Sequence, residues 1–561
     1  MTGLSIDWPS CLQQAVADRS ALLLHEGVFN LGAVLVIVAV LVAAPMALWA
    51  RRRYRQAVTR LMGLEQVAPS PVLGESAPAA PMPPASAWDT AGAAAAVQVC
   101  MGRLTRATLL AWLAFGLLGV AVAAAVGPQG WPQRLGFGVG AMLLALGPVM
   151  TNLPPRWSAW SHAVGLAGGL VAVLLLTLLD DSATGPDDSP WWETAALVGA
   201  LALAYVLMFH RRVRGQVQPL AVLVSVSLLA TVLPYAWLEW HSGACLQAVS
   251  ELDDSAPEGT LLWLLLTPLI LGSVWLGLRA ITGLARLIER GWLSELSLGC
   301  ALCLGLIALA LVYAAAPEAR GDVQLTHVAA PFAWMLGCFL VYGLALGRPA
   351  PPGPAPQLLV LRVFSHDRRR HDLLDGLQAR WRYLGPVHQI GGPDMVAVNI
   401  DPYEAAMFLS SQLHTLFLPA AIDTRQLQSR LQTRPDRDGR YRINEVFCFN
   451  TAWRRTVEQL MQLSDAIVLD LRGLTAQREG TSYEIGRLAA LGRLGRVLAL
   501  GDADTDWVHV DALLRRHGAD PQALRRLQAD AARPVRHAPD ALFRQLMQGG
   551  DPPRPAGRSA A

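Results

Sequence analysis

The segment DLRGLTAQREGTSYEIGRLAALGRLGRVLAL, residues 470–500, holds a compact set of reactive side chains. Asp470 and Arg472 lie two residues apart, and Ser482, Tyr483 and Glu484 are consecutive. A carboxylate, a guanidinium, a hydroxyl and an aromatic ring are the groups with which proteins hold a polar small molecule. Phe364 and Ser365 in VFSHD, and Gly391, Gly392 and Asp394 in GGPD, add similar groups upstream. Each also has a plainer reading. A Ser/Thr/Gly-x-x-Glu pattern caps a helix, so Glu484 reads equally as a capping residue. Asp470 ends an apolar run where a turn is needed, and GGPD alone is a turn.

These residues need a scaffold, and the pattern from Gln357 onward supplies one. QLLVLRVF (357–364), VHQI (387–390), RINEVFCF (442–449), AIVLDL (466–471) and RVLAL (496–500) read as strands. Helices fit 371–384, 402–416, 423–432, 450–463, 482–492, 506–516, 520–531 and 539–548. Buried strands alternating with helices predict a mostly parallel, doubly wound α/β sheet. Ligands of such sheets bind beyond the carboxyl ends of the strands. That rule selects Phe364 to Asp367, Gly391 to Asp394, Asp470 to Arg472 and the turn before Glu484.

The preceding 350 residues are of another kind. Of the whole chain 16% is charged and 53% hydrophobic, and the mean hydropathy is +0.35. Nine apolar stretches approach the roughly 20 residues a helix needs to cross a bilayer. They are 31–50, 107–126, 135–155, 157–179, 191–209, 215–238, 259–278, 296–317 and 328–347. A multi-pass α-helical membrane domain over 28–348 is therefore expected, after an N-terminal segment 1–27 that has no signal-peptide pattern.

Arginine sets the expected orientation. RRRYR (51–55), RRVR (211–214) and the arginines at 103, 106, 156, 279, 286, 290 and 348 share one side if the stretches alternate. Arg19, Arg134, Arg320 and the acidic loops 181–190 and 251–258 share the other. This predicts a bacterial inner-membrane protein with a periplasmic N-terminus and a cytoplasmic C-terminal domain. Arginine is absent from all nine stretches, which favours an anchor, scaffold or sensor over a pore.

Every basic residue is arginine, which excludes P-loop and Schiff-base lysine chemistry. The net charge of +3 is too small to argue for nucleic acid. No metal site is expected, since His366 and His371 have no third ligand, and no cofactor is implied. Cys300 and Cys303 sit at helical spacing in an apolar stretch and read as small packing residues. Cys11 and Cys245 are the two cysteines on the expected periplasmic side, where a disulfide can persist. Pro/Ala-rich 66–95 reads as a cytoplasmic loop, 349–356 as a linker before the 357–549 domain, and 550–561 as a disordered tail.

The order AIVLDLRG…GTSYEIGRLAALGRLGRVLAL resembles nucleoside 2-deoxyribosyltransferases and the related TIR domains. VFSHDRRRHDLLDGL is similar to the opening of a TIR domain. The tail as a whole also resembles uncharacterised bacterial multi-pass membrane proteins. The likeness covers about 150 residues of the tail and none of the membrane part. SYE stands where these families commonly carry Trp-Glu or Phe-Glu, and 421–445 reads as an insertion. In those families the helix glutamate is catalytic, and Glu484 falls on it. The resemblance implies binding of a nucleotide and cleavage of an N-glycosidic bond of NAD or a nucleoside. A carboxylate beside the anomeric carbon would stabilise the oxocarbenium ion, and a place in the first helical turn would keep Glu484 ionised. Asp470 or Ser482 would hold ribose hydroxyls, Arg472 a phosphate, and Tyr483 or Phe364 would stack on the base. The alternative is a non-enzymatic membrane sensor or scaffold whose α/β domain binds a ligand or a protein.

Overall fold

The computed structural model describes residues 52–63, 90–126, 130–153, 294–314, 325–347, 355–362, 368–391, 412–419, 423–475, 478–528 and 538–548, with isolated residues between them. The chain divides into two units: 105–347 with both flanking pieces 1–50 and 400–406, and 51–104 with 348–399 and 407–561.

In the first unit the described elements are helices. α2 runs Thr90–Val126 and enters this unit at Thr105, α3 is Trp131–Asn152, α4 is Glu295–Ala314 and α5 is Leu325–Leu346. Among the described residues two helical stretches are long and apolar enough to cross a membrane, Ala94–Ala125 and Trp131–Asn152, and Ala330–Leu346 is a shorter apolar one. The expected spans 31–50, 157–179, 191–209, 215–238 and 259–278 lie wholly or mostly outside the described residues.

Small residues and one large ring set the packing of this unit. A Cβ on Gly138 of α3 would come within 2.4 Å of Val120 and 2.7 Å of the Gly116 carbonyl oxygen on α2. Close helix approach of this kind replaces the hydrophobic drive that lipid does not provide. Trp334 of α5 stacks on Phe115 at 4.6 Å between centroids. Its Nε1–H donates to the Phe115 carbonyl at 2.8 Å, so the buried ring leaves no polar atom unsatisfied.

The second unit opens with helix α1 (52–63) and the first half of α2, and its main body is a seven-stranded sheet. The strands are β1 Leu358–Arg362, β2 Val387–Ile390, β3 Phe417–Leu418, β4 Ile443–Cys448, β5 Ala466–Asp470, β6 Val497–Gly501 and β7 Arg525–Gln528. Their order is β3-β4-β2-β1-β5-β6-β7, and every pairing is parallel. β5 and β6 are buried along their whole length, as parallel strands covered on both faces must be.

The connecting helices are α6 Arg368–Trp381, α7 Thr424–Arg430, α8 Trp453–Leu463, α9 Glu479–Ala490, α10 Trp507–Arg516 and α11 Ala538–Gln548. Their starts follow local chemistry. Asp423 and Gln426 form a reciprocal capping box at α7, and Asp506 accepts the His509 N–H at α10.

Three expectations need correction. Of the helix expected over 520–531, the described residues 520–528 are not helical: a 3-10 turn leads into β7, an edge strand whose side chains alternate half-buried and exposed. Its sequence RRLQ has no apolar run because only its inner face touches the core. The stretch expected as helix 402–416 ends in a 3-10 turn at Leu413–Leu416 followed by β3. The third correction concerns the start of α9 and falls in the candidate site.

Candidate functional site

β1 lies between β2 and β5: the chain runs from β1 to one side through β2, β3 and β4, then crosses back from β4 to β5 on the other side, so the switch point falls between β1 and β5. A crevice outside the carboxyl ends of such strands is where open α/β sheets bind ligands. In register, Arg362 at the end of β1 pairs with Asp470 at the end of β5. Phe364 and Ser365, which follow β1, lie outside the described residues, as do Gly392 and Asp394 after β2.

The loop after β5 is closed on itself. Arg472 Nε donates to Asp470 Oδ1 at 2.8 Å and Nη2 to Oδ2 at 2.7 Å, and both side chains are about nine-tenths buried, each 7% exposed. The expectation that Arg472 reaches out to a phosphate meets this fork-to-fork pair, which turns its Nε and Nη2 donors toward Asp470. Gly473 follows with φ +67, a left-handed conformation suited to glycine, and its N–H donates to Asp502 Oδ1 at 3.0 Å. Thr505 Oγ1 donates to the Leu471 carbonyl at 3.1 Å, and the Asp506 N–H to the Leu474 carbonyl at 3.2 Å. The loop after β6 therefore holds the loop after β5. Asp502 and Thr505 escaped the sequence reading, although their i, i+3 spacing in DADT after an apolar strand is a turn signal.

α9 starts at Glu479, three residues before the expected 482, with no side-chain cap at Arg478. Glu484 consequently sits in the second turn, not the first. Its face of the helix, Thr481, Glu484, Ile485 and Leu488, is buried at the i, i+3, i+4, i+7 spacing of a core-facing stripe. Glu484 Oε2 has no hydrogen-bond partner among the described residues. Burial pushes its carboxyl up to about 8. Against the expected glutamate kept ionised by the helix dipole, desolvation favours the neutral form, and the dipole's effect fades beyond the first turn.

The neighbours of Glu484 face elsewhere. Tyr483 donates its hydroxyl to Glu458 of α8, lies 5.5 Å from the Trp453 ring, and carries the Arg454 guanidinium 4.9 Å above its face. Arg487 completes the cluster, its Nη2 donating to Glu458 Oε2 at 3.0 Å. Burial, then the bond to Glu458, raises the Tyr483 phenol. Its ring is committed to the α8–α9 contact, not to stacking on a base. Ser482 Oγ lies 3.2 Å from His509 Nε2 of α10, both half-buried. That pair can pass a proton or hold a hydroxyl, and His509 was not singled out by the sequence.

Gly391 follows β2 with its N–H donating to the Val446 carbonyl at 3.0 Å. A Cβ there would meet the Phe447 ring at 2.7 Å, so packing explains this glycine. Cys11 and Cys245 lie outside the described residues, and the described cysteines are all free thiols. Among the described residues no cluster of His, Cys, Asp and Glu could hold a metal ion. The switch point thus brings together Arg362, Asp470 and Arg472, with Ser482 and His509 on the helices that follow β5 and β6. No protein-family model, curated protein or solved structure matches the chain.

Proposed function

We propose that this is a multi-pass bacterial inner-membrane protein with a cytoplasmic α/β domain that binds a nucleotide-class ligand at the β1–β5 switch point. The observation that supports the ligand reading is the strand order, whose switch point, where open α/β sheets bind ligands, falls beside Asp470 and Arg472. The membrane reading draws on side chains that water would not favour: Leu117 is 72% exposed, Leu344 81% and Phe332 63%. Nine spans with the N-terminus outside remain the topology that the arginine distribution supports.

Of the two readings for the α/β domain, burial of Glu484 favours ligand binding without turnover. N-glycosidic cleavage needs an ionised carboxylate within reach of the anomeric carbon, and burial on a core-facing stripe disfavours the ionised form of Glu484. The test uses the full chain in neutral detergent with NAD and common nucleosides. Binding predicts a ligand-dependent rise in the unfolding midpoint that Asp470→Asn with Arg472→Gln abolishes, and no released base by chromatography. Base release that disappears in Glu484→Gln would restore the TIR-like enzyme reading. No midpoint shift with any nucleotide would end the ligand class.

A further inference from the structure

α1 carries a feature that neither the sheet nor its ligand accounts for. Tyr54 and Val58 on its inner face are fully buried, the Tyr54 ring meets Phe408 edge-on at 5.3 Å, and the Asn450 N–H donates to the Met62 carbonyl at 3.2 Å. These contacts fix the rotation of the helix, so its outer positions are not free to turn inward. Of the seven exposed positions 52, 53, 55, 56, 59, 60 and 63, four are arginine, Arg52, Arg53, Arg55 and Arg60, and the others are the uncharged Gln56, Thr59 and Gly63. With Arg51 the four make five arginines in RRRYRQAVTRLMGL (51–64), which contains no acidic residue.

We infer that the outer face of α1 is a binding surface for the phosphate headgroups of anionic phospholipids. Arginine presents a planar donor fork that matches phosphate oxygens. Arg52 and Arg60 are separated by roughly 12 Å along the axis, at 1.5 Å per residue. A free phosphate can engage one or two of these groups, whereas a layer of headgroups meets all of them at once. In sequence the helix follows the apolar stretch 31–50 directly, where basic clusters meet anionic lipid surfaces. The inference rests on the membrane reading above.

The experiment keeps the two separable. The full chain, purified in neutral detergent, is given phosphatidylglycerol, phosphatidylcholine or inorganic phosphate, and both thermal unfolding and bound lipid by native mass spectrometry are followed. Phosphatidylglycerol is expected to raise the midpoint and to co-purify, with phosphatidylcholine and phosphate far weaker. Each arginine near an anionic surface contributes about fivefold in affinity. The quadruple variant Arg52→Gln, Arg53→Gln, Arg55→Gln, Arg60→Gln should therefore lose at least ~10-fold in phosphatidylglycerol affinity. Its circular dichroism and its response to phosphatidylcholine should stay unchanged. Salt near 1 M, where the Debye length is about 3 Å, should suppress the wild-type effect. Equal phosphatidylglycerol binding by the variant overturns the proposal, and so does an inorganic phosphate effect matching that of the lipid. Failure of the membrane reading has a different signature: a chain released from membranes by alkaline carbonate without detergent.

Discussion

The two units bury similar cores and present opposite exteriors. Aliphatic and aromatic side chains fill both, Phe115, Leu304 and Trp334 in the helical unit and Leu469, Ile485 and Val497 in the α/β unit. Outside, the helical unit shows leucine and phenylalanine along α2 and α5, while α6 to α10 carry arginines, aspartates and glutamates. The units also differ in what polar chemistry they bury. Among its described residues the helical unit buries mainly neutral amides and hydroxyls that bond across helices, with Glu404 a buried carboxylate as well. The α/β unit buries charges, most of them as pairs such as Asp470–Arg472 and Asp438–Arg440. An interior therefore says little about the solvent outside, and the exterior and the kind of buried polar group say much more.

The largest effect expected from this contrast is at Glu484, a buried ionisable group of the α/β unit with no ion pair among the described residues. Its folded carboxyl titrates at about 8, against about 4.3 for an unfolded chain. Between those values the folded state keeps a proton that the unfolded state has lost. Stability should thus fall as pH rises through that window, by up to about 1.4 kcal/mol per pH unit, and level off above it. Glu484→Gln keeps the shape and removes the charge. It should raise the unfolding free energy at pH 9 by several kcal/mol, at most on the order of 5 kcal/mol, and change little at pH 5. Denaturant titrations at the two pH values decide it. A pH-independent difference would mean that Glu484 is hydrated and ionised, and would reopen its catalytic role.

A smaller effect separates the two exteriors directly. Leu117 on α2 is 72% exposed and Val508 on α10 is 81% exposed. Aspartate costs about 2.5–3.5 kcal/mol near the centre of a membrane helix, whereas an exposed substitution in water stays within about 0.5 kcal/mol. Leu117→Asp should lower the fraction of chain that integrates into membranes, and Val508→Asp should leave integration and unfolding unchanged. Equal, negligible effects would remove lipid as the solvent of α2.

Much of this organisation is readable in the sequence, for reasons that also explain the misses. β1, β5 and β6 are central and buried, so apolar runs mark them, whereas β2 buries His388 and Gln389 between Val387 and Ile390. β7 is an edge strand with RRLQ, where only alternate residues touch the core and no run forms. The Asp470–Arg472 pair joins residues two apart, yet whether the guanidinium turns inward or outward depends on a loop fastened by Asp502 and Thr505, 30 or more residues later in the chain. Glu484 misled because a helix start was placed at Ser482. No strong stop precedes it, and burial of Thr481 with Ile485 and Leu488 carried the helix back to Glu479. Moving that start put a capping glutamate into the core.

The smallest predicted effect lies in the helical unit, where Asn152 closes α3 among partners from three other helices. Its Nδ2 donates to Thr108 Oγ1 of α2 at 3.2 Å and to the Tyr342 hydroxyl of α5 at 3.4 Å. Its Oδ1 accepts from Ser297 Oγ of α4 at 3.4 Å, and Ser297 Oγ in turn lies 3.1 Å from the Tyr342 hydroxyl. Cross-helix bonds in lipid are worth about 0.6 kcal/mol on average and about 1.7 at most, because helices separated in lipid find other partners. A double-mutant cycle of Asn152→Leu with Thr108→Val, read from unfolding in mixed micelles, should therefore return a coupling near 0.6 kcal/mol. Loss of the amide alone should be mild as well, since the Ser297 and Tyr342 hydroxyls still satisfy each other. The matching break in the α/β unit, Asp470→Asn, takes a carboxylate from a buried guanidinium and should cost about 3–5 kcal/mol. A coupling at Asn152 well above about 2 kcal/mol would place this cluster in the same energetic class as the buried ion pairs, and the contrast between the units would then rest on their exteriors alone.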